Sequence, residues 1–134
     1  MTSKAREVRD HIALLTEYAR AVVGGSVAAC RWVNLACARH LRDLGRQDEP
    51  DFPYRFDEAA ARRICAFAEL LPHVKGEWAK RRELIVLQPW ECFLLGAPFG
   101  WLKKTDGLRR FREIYAEIPR KNGKSLCGAL IGNY

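Results

Sequence analysis

The sequence has no apolar run reaching the roughly 18 residues that a membrane-spanning helix needs, because Arg, Lys or Glu interrupts its hydrophobic stretches before that length. No membrane partner is expected. Met1 to Asp10 holds no apolar signal-peptide segment, so a cytoplasmic address is the default expectation. None of the five cysteines (Cys30, Cys37, Cys65, Cys92, Cys127) forms a Cys-x-x-Cys pair, which argues against a zinc site. Cys30 and Cys37 lie seven apart in an apolar pattern and read as small buried hydrophobes on one helix face. His11, His40 and His73 lack metal-ligand spacing, and no chemistry is assigned to them. There is no internal repeat and no low-complexity tract.

What is present is a chain of 134 residues, 49% hydrophobic and 29% charged, with 23 Lys and Arg against 16 Asp and Glu and a formal net charge of +7. That length suits one domain able to bury roughly two thirds of its unfolded surface, and the composition is too apolar for intrinsic disorder.

Apolar positions at Val8, Ile12, Leu15, Ala19 and Val22 alternate steps of four and three, the stripe of an amphipathic helix that Gly24 and Gly25 end. Ser26 is expected to cap a second helix with the stripe Cys30, Val33, Cys37, Leu41, Leu44 and a left-handed terminator at Gly45. The two form a helical hairpin over 1–46. Arg20, Arg31, Arg39, Arg42 and Arg46 occupy its other faces, as a solvated surface or as a nucleic-acid surface.

Residues 47–56 begin with the acidic, proline-containing QDEPDFPY and read as a linker. A helical region is expected over 57–110. There Asp57 caps a helix from Glu58 to Leu71 with Ala60, Ile64, Phe67 and Leu71 on one side, closed by Pro72. Leu84 to Leu87 is a short apolar run, and Pro89 starts a short helix to about Leu95 that Gly96, Pro98 and Gly100 break. Thr105-Asp106-Gly107 is a turn signal.

Residues 111–134 differ in kind. Phe111 to Ile118 (FREIYAEI), rich in aromatic and β-branched residues, reads as a strand; Pro119 to Ser125 is a basic, Gly-containing loop, and a small-residue helix follows to Tyr134. Strand, loop and helix in this order suit a phosphate loop, where backbone N–H groups at a helix N-terminus surround an anion. Gly123, Lys124 and Ser125 stand in the order of turn, phosphate-reaching Lys and Mg²⁺-binding hydroxyl. Arg120, Lys121 and Asn122 precede them. The usual Gly five residues before Gly123 is replaced by Ile118, so the triplet alone also fits a capped turn in a basic protein.

A second group is Gln88-Pro89-Trp90-Glu91, where a carboxamide can bond an adenine edge and an aromatic ring can support the base. A Gln at a helix start and a Trp in its first turn are more often a cap and a core residue.

Taken together, these segments resemble the N-terminal part of the large terminase subunit of tailed bacteriophages, the ATPase of the DNA-packaging motor. The resemblance runs from about Thr16 through Ala36–Leu44 (ACARHLRDL), Tyr54–Asp57, Leu70–Trp78, Pro89-Trp90, Phe99–Trp101 and Phe111–Glu113 to the ending Ile118–Ser125 (IPRKNGKS). That family's phosphate loop lacks the first Gly and carries an Arg. The resemblance therefore implies that Lys124 contacts the β and γ phosphates, Ser125 binds Mg²⁺ with its hydroxyl, and Arg120 lies near the γ phosphate. It also implies an adenine motif at residues 88–91, with Glu91 where a Gln usually follows Pro-Trp. A carboxylate accepts from adenine N6 but cannot donate to N7.

The implied fold is a mainly α N-terminal region leading into the first strand, P-loop and helix of an incomplete P-loop NTPase α/β domain. The complete family protein is an ATP- and Mg²⁺-dependent DNA translocase and endonuclease in the bacterial host cytoplasm. Its partners are double-stranded DNA, the small terminase subunit and the portal. The sequence shows no acidic Mg²⁺-supporting strand end, catalytic Glu or nuclease domain, so no catalytic residue is assigned; hydrolysis needs several such parts at once. The expectation is a truncated or split gene product whose C-terminal part lies on a separate chain, binding nucleotide at most. The alternatives are a small basic module for nucleic acid or a packaging subunit, and a non-functional prophage relic.

Overall fold

The computed structural model describes residues 9–71, 84–118 and 131. Its elements are α1 (His11–Gly24), α2 (Arg31–Leu44), β1 (Tyr54–Phe56), α3 (Glu58–Glu69), α4 (Pro89–Gly100) and β2 (Trp101–Lys103).

The Asp10 carboxylate caps α1 by accepting from the Ala13 N–H at 3.1 Å. Gly25 ends it at φ 86°, a left-handed turn that Gly adopts without a Cβ penalty, and its N–H returns to Ala21 and Val22. The second helix begins later than Ser26: Cys30 is the residue before its first turn, and Ser26 and Val27 instead donate to the Ala21 carbonyl as part of the α1 ending. Gly45 is right-handed at φ −74°, not left-handed, because its N–H continues the helical pattern to Arg42 and Asp43. The buried side of α2 is also rotated from the expected stripe. Cys37, His40 and Asp43 are buried, while Cys30 is exposed.

Asp57 caps α3 as the sequence indicates, accepting from the Ala60 N–H at 3.2 Å. Its buried residues are Ala61, Ile64, Cys65, Ala68 and Glu69, one position along from much of the expected stripe.

Gly96 and Pro98 do not break α4, which runs to Gly100. The two glycines serve close packing instead. A Cβ at Gly96 would lie 2.8 Å from Leu15 Cδ2, and one at Gly100 only 2.4 Å from Phe56 Cε2. Pro98 lacks the N–H that would bond back one turn, yet it falls near the helix end, where the chain turns into β2.

The sheet is a two-stranded antiparallel ladder with Tyr54 opposite Lys103, Arg55 opposite Leu102 and Phe56 opposite Trp101. On its far side β2 folds back through the Thr105-Asp106-Gly107 turn, with Gly107 at φ 70° and the Asp106 carboxylate accepting from the Leu108 N–H at 2.9 Å. Leu102 bridges Arg109 across that return.

One core gathers Leu15 of α1, Phe52, Phe56, the inner face of α3, Ile85 and Leu87, the inner face of α4, and Trp101. Residues of 1–46, 47–56 and 57–110 therefore share it. Phe52, in the stretch read as a linker, is 5% exposed and meets Trp101 edge-on. Lys104 Nζ donates to the carbonyls of Gln47 and Glu49 and holds that stretch to β2.

Phe111 to Ile118 is not the expected strand; it has no regular structure. Its aromatic and β-branched residues favour a strand, but a central parallel strand needs neighbours on both sides, and among the described residues the one sheet is β1–β2. Ile114 and Tyr115 are exposed instead. The phosphate loop and the helix expected after it lie outside the described residues. Among the described residues no helix is long and apolar enough to cross a membrane.

Candidate functional site

The segment entering α4 is fixed from below by a buried polar cluster. Glu69, at the end of α3, accepts from Arg9 and from the Leu87 N–H at 3.0 Å, and its Oε1 lies 2.5 Å from His11 Nε2. Arg9 also donates to the Leu87 carbonyl at 2.9 Å, so both backbone groups of Leu87 are engaged. Burial alone raises the Glu69 carboxyl, but the bonds from His11, Leu87 and Arg9 outweigh it and hold the group below the usual carboxylate range.

Past this anchor, Pro89 opens α4 at a position where its missing N–H costs nothing. The Glu91 carboxylate turns back to accept from the Gln88 N–H at 2.9 Å, satisfying a free helix donor and placing negative charge at the positive end of the helix. Trp90 is half-buried and faces a cavity of about 720 Å³.

That cavity lies between α2, α4 and the segment 110–118, with Trp90, Phe93, Trp101 and Phe111 among its aromatic walls. Its size falls within the range of small-molecule sites. Arg39, His40, Asp43 and Arg110 reach its lining, together with the carboxylates Glu113 and Glu117 of the segment 110–118. The Trp101 indole donates to His40 Nδ1 at 3.0 Å, which leaves the ring proton of neutral His40 on Nε2. Among the described residues that buried nitrogen has no hydrogen-bond partner, and the rings of Phe56, Phe93 and Trp101 stand edge-on to the imidazole. Burial depresses His40 to a pKa of about 4, with the nearby Arg39 adding to it and Asp43 opposing. Arg110 donates to the buried Asp43 carboxylate at 2.8 Å and lies 4.3 Å from the centre of the Tyr54 ring. Its backbone N–H bonds the Trp101 carbonyl, so the chain leaving the hairpin is tied to β2 and to α2 at once.

The four residues of the adenine-like segment thus divide. Trp90 lines the cavity, whereas Gln88 and Glu91 form the helix cap and do not line it. Arg120, Lys121, Asn122, Gly123, Lys124 and Ser125 lie outside the described residues. Among the described residues no group of three or more His, Cys, Asp and Glu could hold a metal. The sequence assigned no role to the polar residues His40, Asp43 and Arg110: His40 and Asp43 lie outside the apolar stripe expected for α2, and their partners Trp101 and Arg110 are more than sixty positions away.

No curated protein and no solved structure gives a significant match to the chain. Residues 89–132 match the family model of the terminase large subunit, ATPase domain, and the resemblance to that subunit holds on this stretch, from the start of α4 through the triplet Gly123-Lys124-Ser125.

Proposed function

We infer that residues 89–132 bind ATP with Mg²⁺ as the opening part of a terminase-type ATPase domain. The observation that carries this reading is the single family match that joins Pro89-Trp90-Glu91 to Gly123-Lys124-Ser125. The donor set suits a nucleotide: backbone N–H groups and Lys124 for the β and γ phosphates, Arg120 near the γ phosphate, and the Ser125 hydroxyl for Mg²⁺. Lys121 and Asn122 complete the phosphate loop. Trp90 offers a ring face at the cavity wall on which a purine can stack, while the engagement of Glu91 in the helix cap supports weak discrimination among bases. Bound Mg²⁺ would neutralise phosphate charge; the chain's own residues bind and orient the nucleotide. Within a DNA-packaging motor the expected substrate is double-stranded DNA, with the small terminase subunit and the portal as partners.

Calorimetric titration of the whole chain with ATP and Mg²⁺ tests this reading. Saturable binding that weakens at least about ten-fold in Lys124→Ala supports it. Binding that is absent, or indifferent to Lys124, refutes it.

A further inference from the structure

Helix α2 presents a solvent face that the core does not use, and only its Trp32 and Arg39 also border the cavity that Trp90 faces. At about 100° per residue, Arg31, Leu35, Arg39 and Arg42 fall within one narrow sector, with Trp32 at its edge; Arg46, past Gly45, is already paired with Glu49. Trp32 is 70% exposed and Leu35 51%. The one acidic residue of α2, Asp43, is 2% exposed and turned to Arg110, so the charged side chains that α2 itself sends outward are all basic, while Glu113 and Glu117 of the segment 110–118 line the cavity beside Trp32 and Arg39. Arg39 lies 4.8 Å from the Phe111 ring centre and Arg31 5.3 Å from that of Trp32, which leaves both charged groups at the rim.

An exposed Trp and Leu bordered by arginines have the composition of a protein-binding hot spot: an apolar centre, a charged border, and Trp and Arg as the enriched residue types. Phosphate tracking would need the arginines but not Leu35 at the centre of the stripe. A second copy of the chain is a poor occupant, because it would set one arginine stripe against another. We propose that this face of α2 docks an acidic amphipathic helix of a partner protein, with Leu35 and Trp32 seated against its apolar side and Arg31, Arg39 and Arg42 paired with its carboxylates. The helix, about 20 Å long, spans about four turns of such a partner.

Fluorescence anisotropy of the full chain with three labelled probes tests this. The first is a Glu-rich helical peptide with Leu at i, i+3, i+4 and i+7; the second is the same peptide with Ser for Leu; the third is a DNA duplex of about 20 base pairs. The Leu-containing peptide should bind at least about ten-fold tighter than its Ser counterpart. Leu35→Ser and Trp32→Ser, both at exposed positions, should remove that advantage without moving the urea midpoint, whereas Arg39→Ala and Arg42→Ala should weaken both peptides. Equal affinity for the two peptides overturns the proposal. So does a duplex bound more tightly than the Leu-containing peptide, with steep salt dependence and no response to Leu35→Ser, which would make the stripe a phosphate-tracking surface.

Discussion

Asp43 and Arg110 meet at 2.8 Å although 67 positions separate them, and the carboxylate is almost wholly buried. The pair fastens the chain that leads toward residues 120–125 onto α2. Asp43→Asn would leave the guanidinium facing a neutral amide. Because the Arg110 side chain keeps 15% exposure, water recovers part of the loss, and the expected destabilisation is about 2–3 kcal/mol rather than the larger figure for a fully buried charge. Urea unfolding of the variant and the parent measures it; a difference below about 0.5 kcal/mol would show that the pair does not hold the segment.

Gly100→Ala should destabilise by about 1–3 kcal/mol, since its Cβ would enter the Phe56 ring, which His40 and Trp101 hold in place. Gly24→Ala is the contrasting case. Nothing lies within 4 Å of a Cβ there, so this helical position should tolerate Ala or gain up to about 1 kcal/mol. Thermal unfolding of both variants checks the contrast in sign.

Stability should fall with acid between pH 6.5 and about 4, through His40. Its folded-state pKa of about 4 lies below the ordinary 6.5, so the unfolded chain binds more protons in that window and stability rises with pH. The full effect amounts to about 3 kcal/mol. Glu69 acts in the same direction at lower pH: its stabilisation is present above the ordinary 4.5 and is lost as pH falls toward its depressed folded value. Denaturation from pH 7.5 to 4.5 should show the slope, and His40→Gln should reduce it. An NMR titration placing His40 near its ordinary value would contradict the account.

Glu91→Gln should trade stability for base selectivity. The charged carboxylate at the α4 N-terminus contributes about 0.5–1 kcal/mol that a neutral amide partly loses. A carboxamide can both donate to and accept from an adenine edge, so the ratio of ATP to GTP affinity should rise. Paired melting and binding measurements check both halves; an unchanged ratio would separate residue 91 from base recognition.

The local signals that were legible in the sequence are those with one physical meaning. Asp57 caps α3, Gly25 supplies the left-handed end of α1, and Asp106-Gly107 makes the hairpin turn. Gly96 and Gly100 misled because glycine serves both chain breaking and close approach, and only the positions of Leu15 and Phe56 decide between them. The stretch Phe111–Ile118 misled for a related reason: strand propensity is a property of residues, whereas a strand also requires a neighbour. In the candidate site Trp90 was legible by type and Gln88 as a helix cap. The Asp43–Arg110 and His40–Trp101 pairs were not, since each joins residues more than sixty positions apart.

The most direct measurement of the nucleotide-binding claim is amide and indole NMR of the whole chain titrated with ATP and Mg²⁺. The account predicts saturable shifts at residues 120–125 and at the Trp90 indole, all lost in Lys124→Ala. A spectrum in which residues 89–132 do not respond, or respond equally in that variant, would contradict it.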